Sequence, residues 1–120
     1  MRMLRLLPVL VLIPLVGPVP ADEPRQNPPG KSSARMVHYS GQVQGVGFRA
    51  TAVEIARQHP VTGWVKNLAD GRVQLLVEGP EPALTRFLDA IRTRWKKNIE
   101  KEQIEEKTPT GKFQGLTILR

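Results

Sequence analysis

The order in which two kinds of apolar repeat follow one another constrains the fold of this chain more than any other feature of its sequence. Apolar residues at every second position are typical of a half-buried strand, and a spacing of three or four is typical of a helix with one buried face. The repeats run in the order strand, helix, strand, strand, helix, strand. The predicted strands are Met36–Val43, Val61–Leu68, Arg72–Glu78 and Ile99–Lys107, and the predicted helices are Arg49–His59 and Pro82–Trp95.

The second helix is the clearest element, because five large apolar residues follow a helical spacing. They are Leu84, Phe87, Leu88, Ile91 and Trp95. Asp70-Gly71 is a strong hairpin signal between the second and third strands. In the fourth strand Ile99 and Ile104 fall on opposite faces, so we expect either a bulge or a misplaced boundary there. A turn over Thr108–Lys112 then precedes a short closing strand at Leu116–Leu119.

This order of elements predicts a ferredoxin-like split βαβ fold (βαββαβ) of the α+β class, with an antiparallel sheet and two helices on one face. Residues 34–120 suffice for one modest core but not for two domains. Because this fold supports many unrelated activities, function has to be inferred from a site.

The N-terminal segment has the three parts of a secretory signal. Met1–Arg5 carries two arginines, Leu6–Val16 is an unbroken apolar run, and the small and proline residues of Gly17–Ala21 follow. This pattern predicts cleavage after Ala21 and export to the periplasm or the medium. The alternatives are an uncleaved membrane anchor, or a cytoplasmic protein whose true start is Met36.

Residues 22–33, DEPRQNPPGKSS, are predicted to be a flexible linker between the signal and the fold, because they contain three prolines and no large apolar residue. Loss of residues 1–21 removes two arginines and no acidic residue, which lowers the net charge from +7 to +5. A basic chain suits an anionic partner: nucleic acid, an anionic membrane or a phosphorylated small molecule. Charge alone does not choose among these.

Cysteine is absent from the chain. This absence excludes a disulfide scaffold, a thiolate metal site and a cysteine nucleophile. No group of histidine, aspartate and glutamate has metal-ligand spacing either, so we expect no metal and no cofactor. The two histidines do not look catalytic: His38 lies on the polar side of the first strand, and His59 ends a helix beside Pro60.

The segment GQVQGVGFR, residues 41–49, is the richest in chemistry. It joins the first strand to the first helix through glycines, which allow backbone conformations that turn several amide N–H groups inward. Such a nest beside a helix N-terminus binds anions. Arg49 adds a planar fork of donors that matches a phosphate. The candidate anion-binding residues are Gln44, Gly45, Val46, Gly47, Phe48 and Arg49.

Three other interpretations of this loop compete. The first is a plain tight turn. The second is a dinucleotide fingerprint, Gly45-x-Gly47-x-x-Ala50, with Asp70 as the ribose-binding acid. The third is a nucleotide-binding P-loop. The fingerprint is weak, because Asp70 lies in a hairpin turn and the predicted sheet is not parallel. A P-loop is excluded because no Gly-Lys-Ser/Thr follows.

The segment GWVKN, residues 63–67, supplies a second candidate. Asparagine is poor in strands, so Asn67 either begins the turn or directs its amide toward the loop before the first helix. Trp64 is more typical of a core or a shield than of a ligand contact. Lys66 is more typical of a solvated strand charge, although it is suited to steering anions.

GQVQGVGFR, GWVKN and DGRVQLLVEG, in this order, together resemble the acylphosphatase family, and the tail PTGKFQGLTI resembles the closing segment of that family. The resemblance covers about Met36–Leu119. It implies a ferredoxin-like fold and hydrolysis of the carboxyl–phosphate bond of acyl phosphates without metal or cofactor. It also implies that Gln44–Phe48 is the phosphate loop, that Arg49 binds phosphate and that Asn67 orients water.

The chemistry of acyl phosphates agrees with the residues found. The predicted site has donors but no evident general acid or nucleophile, and a carboxylate leaves without being protonated. Phosphoryl transfer then depends mostly on positioning and charge stabilisation. We therefore expect a monomeric acylphosphatase that acts on a small-molecule acyl phosphate and has no stable membrane association once the signal is removed.

Two other functions remain as alternatives. One is an acylphosphatase-like module that binds phosphate or a protein without turnover, which the predicted export would suit. The other is a single-stranded RNA binder, because RNA recognition motifs share the strand order and a basic charge. No aromatic-rich pattern is present on the third strand, so we expect no nucleic-acid partner.

Overall fold

The computed structural model describes residues 31–120, in which a five-stranded sheet packs against two helices. In chain order the elements are β1 (Ser32–Gly41), α1 (Phe48–Ala56), β2 (Thr62–Asn67), β3 (Val73–Pro80), α2 (Glu81–Arg94), β4 (Ile99–Lys107) and β5 (Leu116–Ile118). The strand order across the sheet is β4-β1-β3-β2-β5. The predicted ferredoxin-like α+β fold is confirmed. The predicted signal and residues 22–30 of the predicted linker lie outside the described residues.

The sheet is mixed rather than wholly antiparallel. Strand β3 pairs antiparallel with both β1 and β2, and β1 pairs antiparallel with β4. The closing strand β5 pairs parallel with β2, with Val65 opposite Ile118. The period of a three-residue strand does not specify its partner, so the sequence pattern predicted β5 without predicting where it pairs.

One hydrophobic core lies between the sheet and the two helices, because alternate strand residues face the helices. The residues with the least exposure in this core are Val37, Tyr39, Val65, Val73, Leu75, Val77, Ala52, Leu84, Phe87 and Ile91. The apolar stripe predicted on α2 is buried, including Leu88. Neither helix in residues 31–120 has the length and apolar content of a membrane span.

The start of β1 and the end of α1 differ most from the sequence prediction. Strand β1 begins at Ser32 rather than Met36, because Ser32 and Ser33 pair with the end of β3. The sequence predicts both serines to be part of the linker. Helix α1 ends at Ala56 rather than His59. The next three amides bond to carbonyls three residues back, as at His59 N–H to Ala56 O (3.1 Å), because the residue before Pro60 avoids helical geometry.

A bulge in β4 explains why Ile99 and Ile104 differ in parity. Ser40 is opposite Lys101, whereas Gly41 is opposite Ile99, so one extra residue of β4 is inserted between these pairs. The bulge turns Ile99 toward the core, against which it packs. Ile104 shares the helix-side face opposite Val37 but remains 44% exposed.

The chain crosses from β4 to β5, which lie at opposite edges of the sheet, over the face away from the helices. Glu78 of the central strand β3 points to that face and is only 4% exposed. Its carboxylate accepts hydrogen bonds from the Thr110 and Gly111 amides, both at 2.9 Å, and from the Thr110 hydroxyl at 3.0 Å. Glu78 therefore fixes the connection that positions β5.

Candidate functional site

The loop between β1 and α1 turns on two glycines in the left-handed region. The φ angles are 77° at Gly45 and 89° at Gly47, and Gly47 is the N-cap of α1 without a side-chain cap. A Cβ at either position would meet no neighbouring atom within 4 Å. Glycine is therefore required for the backbone conformation rather than for space.

This loop leaves a run of amide N–H groups available to an anion. The first helical hydrogen bond of α1 joins Thr51 N–H to the Gly47 carbonyl at 3.0 Å. Within residues 31–120, no backbone carbonyl accepts a hydrogen bond from the amides of residues 44–50. Orphan amides at a helix N-terminus carry partial positive charge and favour an anion.

Arg49, in the first turn of α1, brings a full positive charge to the same place. It lines a pocket of about 140 Å³ together with Gly45, Gly47 and Phe48. No carboxylate among the described residues lies within salt-bridge distance of Arg49. A guanidinium of this kind is available for a bidentate contact with a phosphoryl group.

Asn67 reaches the pocket from the end of β2. It lies on the helix side of the sheet, in register with Val73 and two residues beyond the fully buried Val65. Its side-chain oxygen is buried and has no hydrogen-bond partner within residues 31–120. An unpartnered buried acceptor is costly, and a water O–H supplied in the pocket would satisfy it.

The structure therefore brings Gly45, Gly47, Phe48, Arg49 and Asn67, all predicted from sequence, to one pocket. The other two predicted residues do not line it. Val46 is at the tip of the loop and is 43% exposed.

The side chain of Gln44 has a positioning role, which its place in the motif did not predict, in addition to the loop amide that the motif predicts. Its Nε2 donates to the carbonyls of Leu68 at 2.8 Å and Arg72 at 2.9 Å. The two bonds tie the glycine loop to the turn that follows Asn67. Gln44 thus holds the two halves of the site in register.

Phe48 contributes its backbone to the loop and its side chain to the core. Its ring packs between those of Tyr39 and Trp95, with centroid distances of 5.1 and 5.2 Å. Burial, and then the negative charge of Glu102, raise the pKa of the Tyr39 hydroxyl well above its ordinary value. This aromatic stack is neutral and anchors the start of α1.

Four residues that the sequence did not predict also line the pocket: Val43, Ala50, Ile118 and Arg120. Ile118 and Arg120 come from β5 and the segment after it. The alternation of Leu116, Ile118 and Arg120 was visible in the sequence, but the pairing that brings them to this pocket was not.

Lys66 and His38 lie on the face of the sheet away from the helices, and therefore away from the pocket. Lys66 Nζ is 5.6 Å from the centroid of the Trp64 ring. His38 Nε2 and Gln74 Nε2 are 3.0 Å apart. Within residues 31–120 no three histidine, aspartate or glutamate side chains are grouped as a metal site would require.

The fold and the pocket together define an α+β protein in which unpaired loop amides, the Arg49 guanidinium and the unpartnered Asn67 oxygen meet at one pocket. The sequence model of the acylphosphatase family matches residues 35–118. An acylphosphatase of Chloroflexus aurantiacus is 39% identical over 84 residues, which cover 69% of this chain and 91% of that protein. An acylphosphatase of Bacillus velezensis is 56% identical over 52 residues, which cover 43% of this chain and 58% of that protein.

Structural similarity agrees with these matches. The crystal structure of the acylphosphatase from Bacillus subtilis matches with a TM-score of 0.65 at 32% identity, over 75% of this chain and 100% of that one. The chain belongs to the acylphosphatase family, and this membership identifies it as a hydrolase of acyl phosphates.

Proposed function

We propose that this pocket hydrolyses the carboxyl–phosphate bond of acyl phosphates without metal, by attack of a water that Asn67 orients on a phosphoryl group held by Arg49 and the loop amides. The observation that carries the proposal is the buried, unpartnered oxygen of Asn67 in a pocket that Arg49 also lines. One side of the pocket offers donors to an anion, and the other offers an acceptor to a water. Hydrolysis at phosphorus requires both.

The proposed step needs no further catalytic group. The water oxygen forms a bond to phosphorus while the bond from phosphorus to the carboxyl oxygen breaks. The carboxylate leaves with the electron pair, and the proton of the water passes to phosphate or solvent. Charge on the phosphoryl oxygens is stabilised by the Arg49 guanidinium and the amides of residues 44–48, which are fixed before the reaction.

Hydrolysis of benzoyl phosphate by the full chain tests this proposal, with inorganic phosphate as inhibitor. We expect turnover and competitive inhibition, because phosphate occupies the same cradle. Lys66→Ala is the control variant: it removes a nearby charge from the opposite face and should leave turnover within about twofold, as expected for a solvated surface charge. Phosphate binding without benzoyl phosphate turnover would instead identify a binding module.

A further inference from the structure

The segment after β5 brings a second arginine to the mouth of the pocket. Because β5 runs parallel to β2 with Ile118 opposite Val65, residue 120 lies level with Asn67 at the same end of the sheet. The Leu119 amide donates to the Val65 carbonyl at 2.9 Å, which continues the pairing past the strand. Side chains alternate, so Arg120 shares the helix-side face with Ile118, and both line the pocket.

Arg120 and Arg49 reach the pocket from different elements. Arg49 stands in the first turn of α1 beside the glycine loop and is half-buried, whereas Arg120 follows β5 and is exposed. In the described part of the chain, no acidic side chain forms an ion pair with Arg120. The loop amides and the fork of Arg49 already supply donors for the phosphoryl oxygens. Arg120 is therefore left available to the part of the substrate that is not the phosphoryl group.

We propose that Arg120 determines specificity by binding a carboxylate on the acyl portion of the substrate, so that acyl phosphates of short dicarboxylic acids are preferred. Ile118 is half-buried, precedes Arg120 on the same face and lines the same pocket, so it offers an apolar contact for the intervening methylene groups. A guanidinium matches a carboxylate through two parallel hydrogen bonds. This inference rests on the proposed function of the same pocket.

A comparison of acetyl phosphate with succinyl phosphate tests the inference, since only the second carries a distal carboxylate. We expect the KM of the full chain for succinyl phosphate to be about fivefold lower than for acetyl phosphate. This difference corresponds to the upper end of the free energy that an exposed ion pair contributes. Arg120→Gln should remove this difference by raising the KM for succinyl phosphate alone, with kcat little changed. Arg57→Gln, the same substitution at the far end of α1, should keep the difference.

A binding measurement separates this inference from the hydrolytic one. Titration calorimetry with acetylphosphonate and succinylphosphonate, which cannot be hydrolysed, should show the same preference and the same loss in Arg120→Gln. If the chain binds succinylphosphonate more tightly than acetylphosphonate but hydrolyses neither acyl phosphate, the proposed hydrolysis is refuted and the role of Arg120 stands. Equal affinities for the two phosphonates, or an equal loss of both in Arg120→Gln, would refute the role of Arg120.

Discussion

Arg49 and Asn67 belong to different elements, and each leaves a polar group available at the same pocket. Local sequence was enough to predict them as candidates. A glycine loop before a helix indicated an anion cradle, and an asparagine at the end of a strand indicated a role other than strand formation. Arg120 was not predictable in this way, because it reaches the pocket through a strand pairing between distant parts of the chain.

Arg49→Lys is expected to lower turnover of benzoyl phosphate by about 10²-fold or more, comparable to the loss of an oxyanion donor. Lysine keeps the charge but loses the planar fork that contacts two phosphoryl oxygens. Folding should survive, because Arg49 is not part of the hydrophobic core. Steady-state kinetics and circular dichroism on the purified full chain measure both effects.

Arg57→Lys is the matched control for this substitution, since Arg57 is at the other end of α1 and pairs with Glu54 at 2.9 Å. It should retain wild-type turnover. Near wild-type turnover in a folded Arg49→Lys protein would rule out the proposed cradle.

Asn67→Ala is expected to lower kcat and kcat/KM together by about 10²-fold, with KM little changed, because a water-orienting group acts mainly in the transition state. Inhibition by inorganic phosphate should persist at nearly the same affinity, since Arg49 and the loop amides remain. Kinetics should be measured alongside thermal melting. A lower melting temperature with normal kcat would mean that Asn67 only begins the turn, and weaker phosphate inhibition with normal kcat would make it a binding residue.

At the scale of elements, the site depends on how three connections are fixed. Gln44 bonds the glycine loop to the carbonyls of Leu68 and Arg72. Asn98, in the turn between α2 and β4, donates through Nδ2 to the Gln42 carbonyl at 2.9 Å. Glu78 holds the connection that leads to β5. Each of these side chains forms hydrogen bonds with backbone groups of a loop, and these bonds fix the position of the loop.

Glu78→Gln is expected to destabilise the fold by about 1–3 kcal/mol near neutral pH, because a side-chain amide cannot accept all three hydrogen bonds. Burial, the largest single influence, raises the pKa of Glu78, but the hydrogen bonds from Gly111 and Thr110 together outweigh it and hold this pKa below its ordinary value of 4.5. A depressed carboxyl pKa stabilises the fold fully above the unfolded pKa, and this contribution is lost as pH falls through the folded pKa.

Thermal melting of wild type and Glu78→Gln from neutral to acid pH measures this contribution. The gap in melting temperature should be widest near pH 7 and should narrow as the pH falls below 4.5. Glu105→Gln, an exposed carboxylate of β4, is the control and should show a small gap. A gap for Glu78→Gln that does not change with pH would contradict the account of Glu78.

The types of the elements were predictable from sequence because the apolar periods are strong. The differences between the predicted and the observed elements have physical causes. The parity conflict of Ile99 and Ile104 predicted either a bulge or a misplaced boundary, and the structure shows the bulge. The early end of α1 followed from the restriction that Pro60 puts on its neighbour. The parallel pairing of β5 could not be predicted, since only the completed sheet shows which edge is open to that strand.

At the scale of the whole molecule, we propose that export removes residues 1–21 and leaves Asp22 at the new N-terminus. The basic, apolar and small-residue parts of the segment carry this proposal. Intact-mass analysis of protein made in a secreting host should show the mature species. A chain beginning at Met1 would indicate an uncleaved segment, and one beginning at Met36 would indicate an internal start; either contradicts the proposal.

The central claim is that water attacks phosphorus in the pocket formed by Arg49, Asn67 and the glycine loop. Hydrolysis of benzoyl phosphate in ¹⁸O-labelled water, followed by mass spectrometry of both products, tests it most directly. Attack at phosphorus places the label in inorganic phosphate and leaves benzoate unlabelled, which is the result we expect from the wild-type chain. Label in benzoate would mean attack at the carbonyl carbon and would contradict the account.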